Sequence, residues 1–303
     1  MEDKRRILFD TDMDSDCDDA GALVMLLHAH NQGRIHLSAV IADAPRRYAA
    51  PFCEQLCLKY GVLLPIGAVR EAQYAEDPRF ADYRVHCAGM AQSMFYNSKI
   101  NGGKRDTDYP DAVEVYRKAL TESPDGSVTV VCVGFLTAIA ELLKTDAGVE
   151  LVRRKVRRVV SMGDAPKNGE GEMNFNYRMD AAAAQVFFER CPVPVTVCPI
   201  GTEIITGGTL SARLEKGHPL RVAYESFTGK EHCGRSSWDL MTVYRALYPE
   251  DKRLTGTSYG AVRCDAQALR VHWVQDACRA DELLELNTSF EEIAETLEIM
   301  LYE

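Results

Sequence analysis

Between Asp10 and Asp19 the chain places six aspartates in ten residues, Asp10-Thr-Asp12-Met-Asp14-Ser-Asp16-Cys-Asp18-Asp19. Carboxylates this close repel one another and resist joint ionisation unless a cation offsets them. Their oxygen-only donors suit a hard divalent ion. Such an ion acidifies a bound water, so hydrolysis is the chemistry the cluster proposes. A helix start accounts for Asp18 and Asp19, because the positive end of the helix dipole favours acids in the first turn. It gives no reason for the four acids upstream.

Asp10, Asp12 and Asp14 also match the opening D-x-D-x-D of a calcium-binding helix–loop–helix. That pattern needs glycine at its sixth position and a bidentate glutamate at its twelfth, where this chain has Ser15 and Gly21. The cluster also follows an apolar run, Ile7-Leu-Phe9, which reads as a strand over Arg5–Asp10 and not as a helix.

The elements that must carry these residues alternate between strand and helix. A helix is predicted over Asp18–Asn31, a strand over His36–Ala42, a helix from after Arg47 through Tyr60, and a short strand over Leu63–Val69. Residues 71 to 125 hold helical stretches of mixed polarity. Strand Val128–Val133, helix Leu136–Leu143, strand Val156–Ser161, helix Asp180–Arg190 and strand Val193–Cys198 continue the alternation. Helices near 218–227 and 236–247 follow, then a hairpin over Thr255–Cys264 and Ala268–Val274. A last helix, Ser289–Leu301, opens on a Ser-Phe-Glu-Glu capping box. This order predicts an α/β protein with an open, mostly parallel, Rossmann-like sheet flanked by helices, a small C-terminal hairpin and helix, and one domain over residues 1–303. In such sheets ligands sit beyond the carboxyl ends of the strands. Asp10–Asp19, Val133-Gly134 and Met162-Gly-Asp164 are therefore expected to share one crevice.

With 46% apolar and 26% charged residues, the 303-residue chain has the composition of a soluble globular protein. Its 35 basic and 45 acidic residues give a net charge of −10, which argues against a surface that tracks nucleic-acid phosphates. No apolar stretch reaches the length of a membrane span, and the charged start Met1–Arg6 does not read as a secretion signal. Ten cysteines without a C-x-x-C pair read as reduced thiols, so a cytoplasmic protein is expected. Cys53 and Cys57 are expected to be small core residues, and His28 and His30 a polar last helical turn. His86-Cys87 has no partner motif; Tyr83, Tyr177 and Trp273 belong to core or pocket.

Two families place D-x-D after a first strand. In haloacid-dehalogenase-type Mg2+ phosphatases the first acid, here Asp10, is the nucleophile and the second, Asp12, the acid/base; the Gly-Thr that follows is replaced here by Met13-Asp14. That reading is the alternative. Phe9–Leu23 resembles more fully the N-terminal motif of the inosine–uridine-preferring nucleoside hydrolases, in a branch with two extra residues before the final Asp-Asp. The likeness continues in order along the chain. Tyr48-Ala-Ala-Pro51 resembles the start of the family's second helix, Val133-Gly-Phe-Leu-Thr137 its G-x-L-T turn, and Arg157–Gly163 its M-G-G strand. Asn174-Phe-Asn176 with Asp180–Ala184 resembles its E-F-N…D-x-E-A-A stretch, and Ser237-Trp-Asp239 its distal metal segment.

The resemblance implies Ca2+-dependent hydrolysis of the N-glycosidic bond of a ribonucleoside or related ribosyl compound, giving free ribose and base. Asp12 would be both general base and metal ligand, with Asp19, Asp239 and the Val133 main-chain carbonyl completing the protein ligands and Asp16 standing in as a further one. Asp18 and Asn176 would hold the ribose hydroxyls, and Asp10 would support the loop. Asn174 replaces a glutamate that contacts the 5′-hydroxyl, and Trp238 a histidine that protonates purine leaving groups. Asp14 stands where glycine is usual, and the Asn after the second strand has no counterpart in Ala44-Pro-Arg-Arg47. These departures spare the metal ligands and alter ribose and base recognition. A ligand other than plain inosine is expected, with a non-catalytic ribosyl-binding protein as a further alternative. Arg46, Arg47 and Arg178 either form an anion site for a 5′-charged substrate or, more simply, are solvated. The resemblance also implies a homodimer or homotetramer.

Overall fold

Strands that are apolar nearly throughout must be covered on both faces, which is the condition of a parallel sheet between helices. The computed structural model describes residues 5–70 and 103–303. Tyr83, His86, Cys87 and the helical stretches expected within 71–102 lie outside those residues.

The described chain begins β1 (Arg6–Thr11), α1 (Asp18–Asn31), β2 (His36–Ala42), α2 (Ala49–Lys59) and β3 (Ile66–Ala68). It continues α3 (Ala112–Thr121), β4 (Val128–Cys132), α4 (Thr137–Leu143), α5 (Asp146–Lys155), β5 (Val156–Met162) and β6 (Gly171–Glu172). Next come α6 (Phe175–Met179), α7 (Ala181–Arg190), β7 (Val195–Cys198), β8 (Ile205–Thr206), α8 (Leu210–Arg213), α9 (Pro219–Thr228) and β9 (Arg235–Ser236). The last third is α10 (Trp238–Leu247), β10 (Leu254–Asp265), β11 (Arg270–Gln275), β12 (Asp281–Leu286) and α11 (Phe290–Met300).

Ten strands form one sheet in the order β3-β2-β1-β4-β5-β7-β12-β10-β11-β6. Pairing is parallel from β3 to β12 and antiparallel from there to β6. Side chains alternate between the faces, so Ile7 and Phe9 of β1 join one core and Leu8 the other. The first core is closed by α1, α2, α9, α10 and α11, the second by α3, α4, α5 and α7. The expected fold class is therefore observed, and predicted element ends shift by only a few residues.

The prediction lacks two longer elements, α5 and β12, and the short β6, α6, β8, α8 and β9. The helix α5 starts on Thr145, whose hydroxyl accepts the Gly148 N–H at 3.1 Å, and its exposed face is charged. The strand β12, Asp-Glu-Leu-Leu-Glu-Leu, joins the parallel part of the sheet to the hairpin β10–β11. Its acids are held by partners remote in sequence: Asp281 accepts the Val195 N–H at 2.9 Å, and Glu282 pairs with Arg245 at 3.0 Å. The hairpin thereby extends the main sheet. Tyr177 and Trp273 are core residues, Cys53 and Cys57 are buried in α2, and His28 and His30 sit in the last turn of α1. The nine described cysteines are unpaired, and among the described residues no helix is long and apolar enough to cross a membrane.

β1 and β4 meet without a side chain between them at Gly134. A Cβ there would stand 2.7 Å from the Asp12 nitrogen and 2.9 Å from the Thr11 carbonyl carbon. Backbone cannot swing aside as a side chain does, so Gly134→Ala is expected to cost about 1–3 kcal/mol of unfolding free energy. Urea denaturation reads this directly. A loss below about 0.5 kcal/mol, the range of ordinary surface changes, would contradict the close contact.

Candidate active site

The chain leaves β1 towards β2 and leaves β4 towards β5, on opposite sides, so the strand order reverses between β1 and β4. Ligands of open α/β sheets bind in the crevice at such a switch point. The aspartate loop leaves β1 there, and Val133 follows β4 on the neighbouring strand. A cleft of about 360 Å³ covers this point, and Asp12, Asp16, Asp18, Asp19 and Asp239 all line it. Met162, at the end of β5, lines it as well, whereas Asp164 is exposed to solvent. Of the three strand ends expected to converge, the aspartate loop and Met162 line the cleft, and Val133 meets it through the lining residue Asn176.

Asp18 and Asp19 occupy the first turn of α1, and Asp239 the first turn of α10. The two helix N-termini therefore meet, and their dipoles favour the acids they carry. Carboxylate oxygens of Asp18, Asp19 and Asp239 lie within 4.8 Å of one another. Asp18 Oδ2 accepts the Asp239 N–H at 3.2 Å, and the Thr11 hydroxyl donates to Asp19 Oδ1. Asp12 lies outside this trio but faces the same cleft, and its Oδ2 accepts from the Ser15 hydroxyl.

All four carboxyls are buried, and among the described residues no basic side chain forms an ion pair with them. Burial pushes Asp12 up to about 7. It raises Asp18, Asp19 and Asp239 well above the usual carboxylate range, and their mutual repulsion adds to the effect. Oxygen donors that are buried, crowded and short of positive charge fit a hard divalent cation. The residues placed to hold it are Asp18, Asp19 and Asp239, with Asp12 adjoining.

Other expected members are engaged elsewhere. Asp16 grips the Arg235 guanidinium, with Oδ2 3.1 Å from Nε and 2.8 Å from Nη2. The Val133 carbonyl accepts from Asn176 Nδ2 at 2.5 Å, which leaves its second lone pair for another partner. Asn174 caps α6 through Oδ1, which accepts the Tyr177 N–H at 3.0 Å. Its Nδ2 is buried at the cleft without a partner among the described residues, a donor set for a ligand. Trp238 lines the cleft with its indole N–H on the Thr202 hydroxyl at 3.3 Å.

Asp10 does not line the cleft. It is fully buried beneath it, accepts the Tyr116 hydroxyl at 2.6 Å and adjoins Asp43. Burial and the Asp10 charge raise Asp43 well above the usual carboxylate range. A phosphatase nucleophile at Asp10 would have no access to substrate.

Asp14 adopts a left-handed backbone (φ 80°), the conformation for which glycine is the default residue. Its carboxylate meets buried Arg46 at 3.0 Å, so the departures at these two positions answer one another. Arg46 is thus neither solvated nor part of the cleft lining. Thr11, Ser15, Phe175, Phe227 and Arg235 are site residues that the sequence reading does not single out. For Arg235 a signal existed, its place two residues before Ser237-Trp-Asp239.

The raised carboxyls make stability depend on pH and cation. The folded chain binds more protons than the unfolded one, so this contribution is complete below about 3.8 and lost as pH rises through about 7. In EDTA the melting temperature is expected to fall from pH 5 to pH 8. Ca2+ at about a hundred times its Kd should restore about 2.7 kcal/mol, most visibly at pH 8. Melting curves that ignore Ca2+ at every pH would contradict a cation site.

The sequence model of the family described as inosine-uridine preferring nucleoside hydrolase matches residues 7–293. No protein of curated function matches the chain by sequence. Among solved structures, an inosine-uridine preferring nucleoside hydrolase from Bacillus anthracis superposes with a TM-score of 0.68 at 14% identity, over 98% of this chain and 99% of that one. An inosine-guanosine nucleoside hydrolase gives 0.67 at 18% identity, over 98% of both chains. The type III effector protein XopQ, solved in complex with adenosine diphosphate ribose, gives 0.71 at 14% identity, over 100% of this chain and 94% of that one. The shared fold and the family match along nearly the whole chain place this protein in the inosine-uridine preferring nucleoside hydrolase family.

Proposed function

We propose that the protein is a Ca2+-dependent N-glycosyl hydrolase that cleaves a ribonucleoside or related ribosyl compound to free ribose and base. The observation that carries this reading is the trio Asp18, Asp19 and Asp239 beside Asp12, four buried carboxyls with which, among the described residues, no basic side chain forms an ion pair. A Ca2+ held by Asp12, Asp19, Asp239 and the Val133 carbonyl would supply the charge that fixes the ribose 2′- and 3′-hydroxyls and acidifies a water.

The chain's own groups do the rest. Asp12 takes the proton of the attacking water, its buried carboxylate facing the cleft beside the trio. Ser15, donating to Asp12 Oδ2, leaves the other oxygen for the proton. The water oxygen bonds to C1′ as the C1′–N bond breaks, and the electron pair leaves with the base. Positive charge that grows on the ribose ring is offset by the buried carboxylates. Asp18 and Asn176 hold the ribose hydroxyls, the unpartnered Nδ2 of Asn174 serves the 5′-oxygen, and Trp238 offers the base a planar face.

A second reading is retention of a ribosyl ligand without turnover, favoured by the ADP-ribose complex of the structural neighbour XopQ. Reducing-sugar release from a panel of ribonucleosides separates the two. Turnover that needs Ca2+, stops in EDTA and falls about 100- to 10,000-fold in Asp12→Asn is the expected result. Stabilisation by ADP-ribose with no ribose released from any nucleoside would support the binding protein instead. Mg2+-dependent phosphate release that vanishes in Asp10→Asn would overturn both.

A further inference from the structure

Arg235 is the basic side chain among the described residues lining the cleft, and the proposed hydrolysis does not use it. Its Nε and Nη2 point at Asp16, from 2.8 to 3.3 Å, so one edge of the guanidinium is fully taken. Its planar carbon lies 5.0 Å from the ring centres of both Phe227 and Trp238, which fixes the plane between two aromatic faces. Nη1 makes no hydrogen bond among the described residues, and the side chain is one-third exposed at the cleft. A guanidinium needed only to neutralise Asp16 requires neither the aromatic packing nor a place in the cleft. What remains free is the end-on fork, Nη1 with the second Nη2 hydrogen, rigidly aimed and unable to give up its proton.

Resting on the hydrolase reading, we propose that Arg235 is a specificity-determining residue that reads the leaving base through this fork, with Asp16 as its positioning residue. Two donors side by side match two acceptors side by side, and a 6-oxopurine offers them as O6 and N7. Adenosine turns an amino group towards the same donors, and pyrimidines have no N7. As the C1′–N9 bond breaks, its electron pair spreads over the purine towards N7 and O6. Both hydrogen bonds to Arg235 strengthen as that charge builds, and the departing base takes its proton from solvent. Asp16 neutralises the guanidinium and four more carboxylates line the cleft, so a neutral base is favoured at this end over a phosphate. This runs against the sequence-based expectation of a ligand other than plain inosine. That expectation rested on four departures, one of them a missing histidine, and Arg235 packs on the very tryptophan that replaces it.

The test compares kcat/KM for inosine, adenosine and p-nitrophenyl riboside, whose leaving group needs no donor, in the Ca2+-loaded wild type, Arg235→Ala, Arg235→Lys and Asp16→Asn. Wild type should prefer inosine to adenosine by about 10- to 100-fold, the worth of one bidentate pair. Arg235→Ala should erase that preference, and its loss on inosine should exceed its loss on p-nitrophenyl riboside at least about tenfold, mostly in kcat. Arg235→Lys keeps the charge without the fork and should also lose the preference, which covers the case in which the alanine variant misfolds. Asp16→Asn should weaken the preference, and added guanidinium should partly restore inosine cleavage in Arg235→Ala. Equal losses on inosine and p-nitrophenyl riboside, or an unchanged inosine-to-adenosine ratio, overturn the proposal. Should wild type cleave none of the three, the hydrolase reading fails, and melting shifts with free hypoxanthine and adenine still decide. Tighter hypoxanthine binding that is lost in Arg235→Ala supports the fork, and equal binding of the two bases overturns it.

Discussion

Five carboxylates line one cleft, and among the described residues the guanidinium that answers them, Arg235, is spent on Asp16. Taking an ion out of water costs several kcal/mol even after the protein relaxes. A fold that buries Asp12, Asp18, Asp19 and Asp239 without counter-charges is therefore stable only if protons or a cation share the site. Protonation is what burial and mutual repulsion drive in the free chain. A divalent ion releases those protons and turns the same groups into ligands and a base. Charge imbalance is thus the condition from which both stability and chemistry follow.

The scaffold is arranged around that imbalance. The parallel sheet reverses strand order at β1 and β4, Gly134 lets the two strand ends approach, and two helix N-termini close over the acids. Beneath the cleft Asp10 accepts a hydrogen bond from Tyr116, and the Asp43 carboxylate accepts the Ala138 N–H, so the root of the loop is anchored to α3 and α4. Above it Asp14 holds a left-handed turn by its ion pair with Arg46. A non-glycine residue in that conformation costs roughly 1–2 kcal/mol, and the buried ion pair gives a reason for the substitution that a glycine could not.

Much of this was legible in the amino-acid order. Strand–helix alternation, apolar runs and caps are local properties, and they delivered the sheet class and most described elements up to β7, though not α5, β6 or α6. The acid-rich strand β12 was not legible, because its acids are satisfied by Val195 and Arg245, far away in the chain. The aspartate run announced a cation, and the order of distant motifs brought Asp239 to it. Which acid meets which partner was another matter. Asp16 faces Arg235 and Val133 faces Asn176 only because α6 and β9 fold over the cleft. The reciprocity of Asp14 and Arg46, 32 residues apart, likewise belongs to tertiary structure.

A crystal structure with Ca2+ and ribose, with the ion identified by its anomalous scattering, tests the central claim most directly. One calcium is expected to touch the carboxylates of Asp19 and Asp239 and the Val133 carbonyl, with Asp12 beside it and the ribose 2′- and 3′-hydroxyls on its open side. Ribose ordered in the cleft with no ion at these acids, or calcium bound only elsewhere, would contradict it.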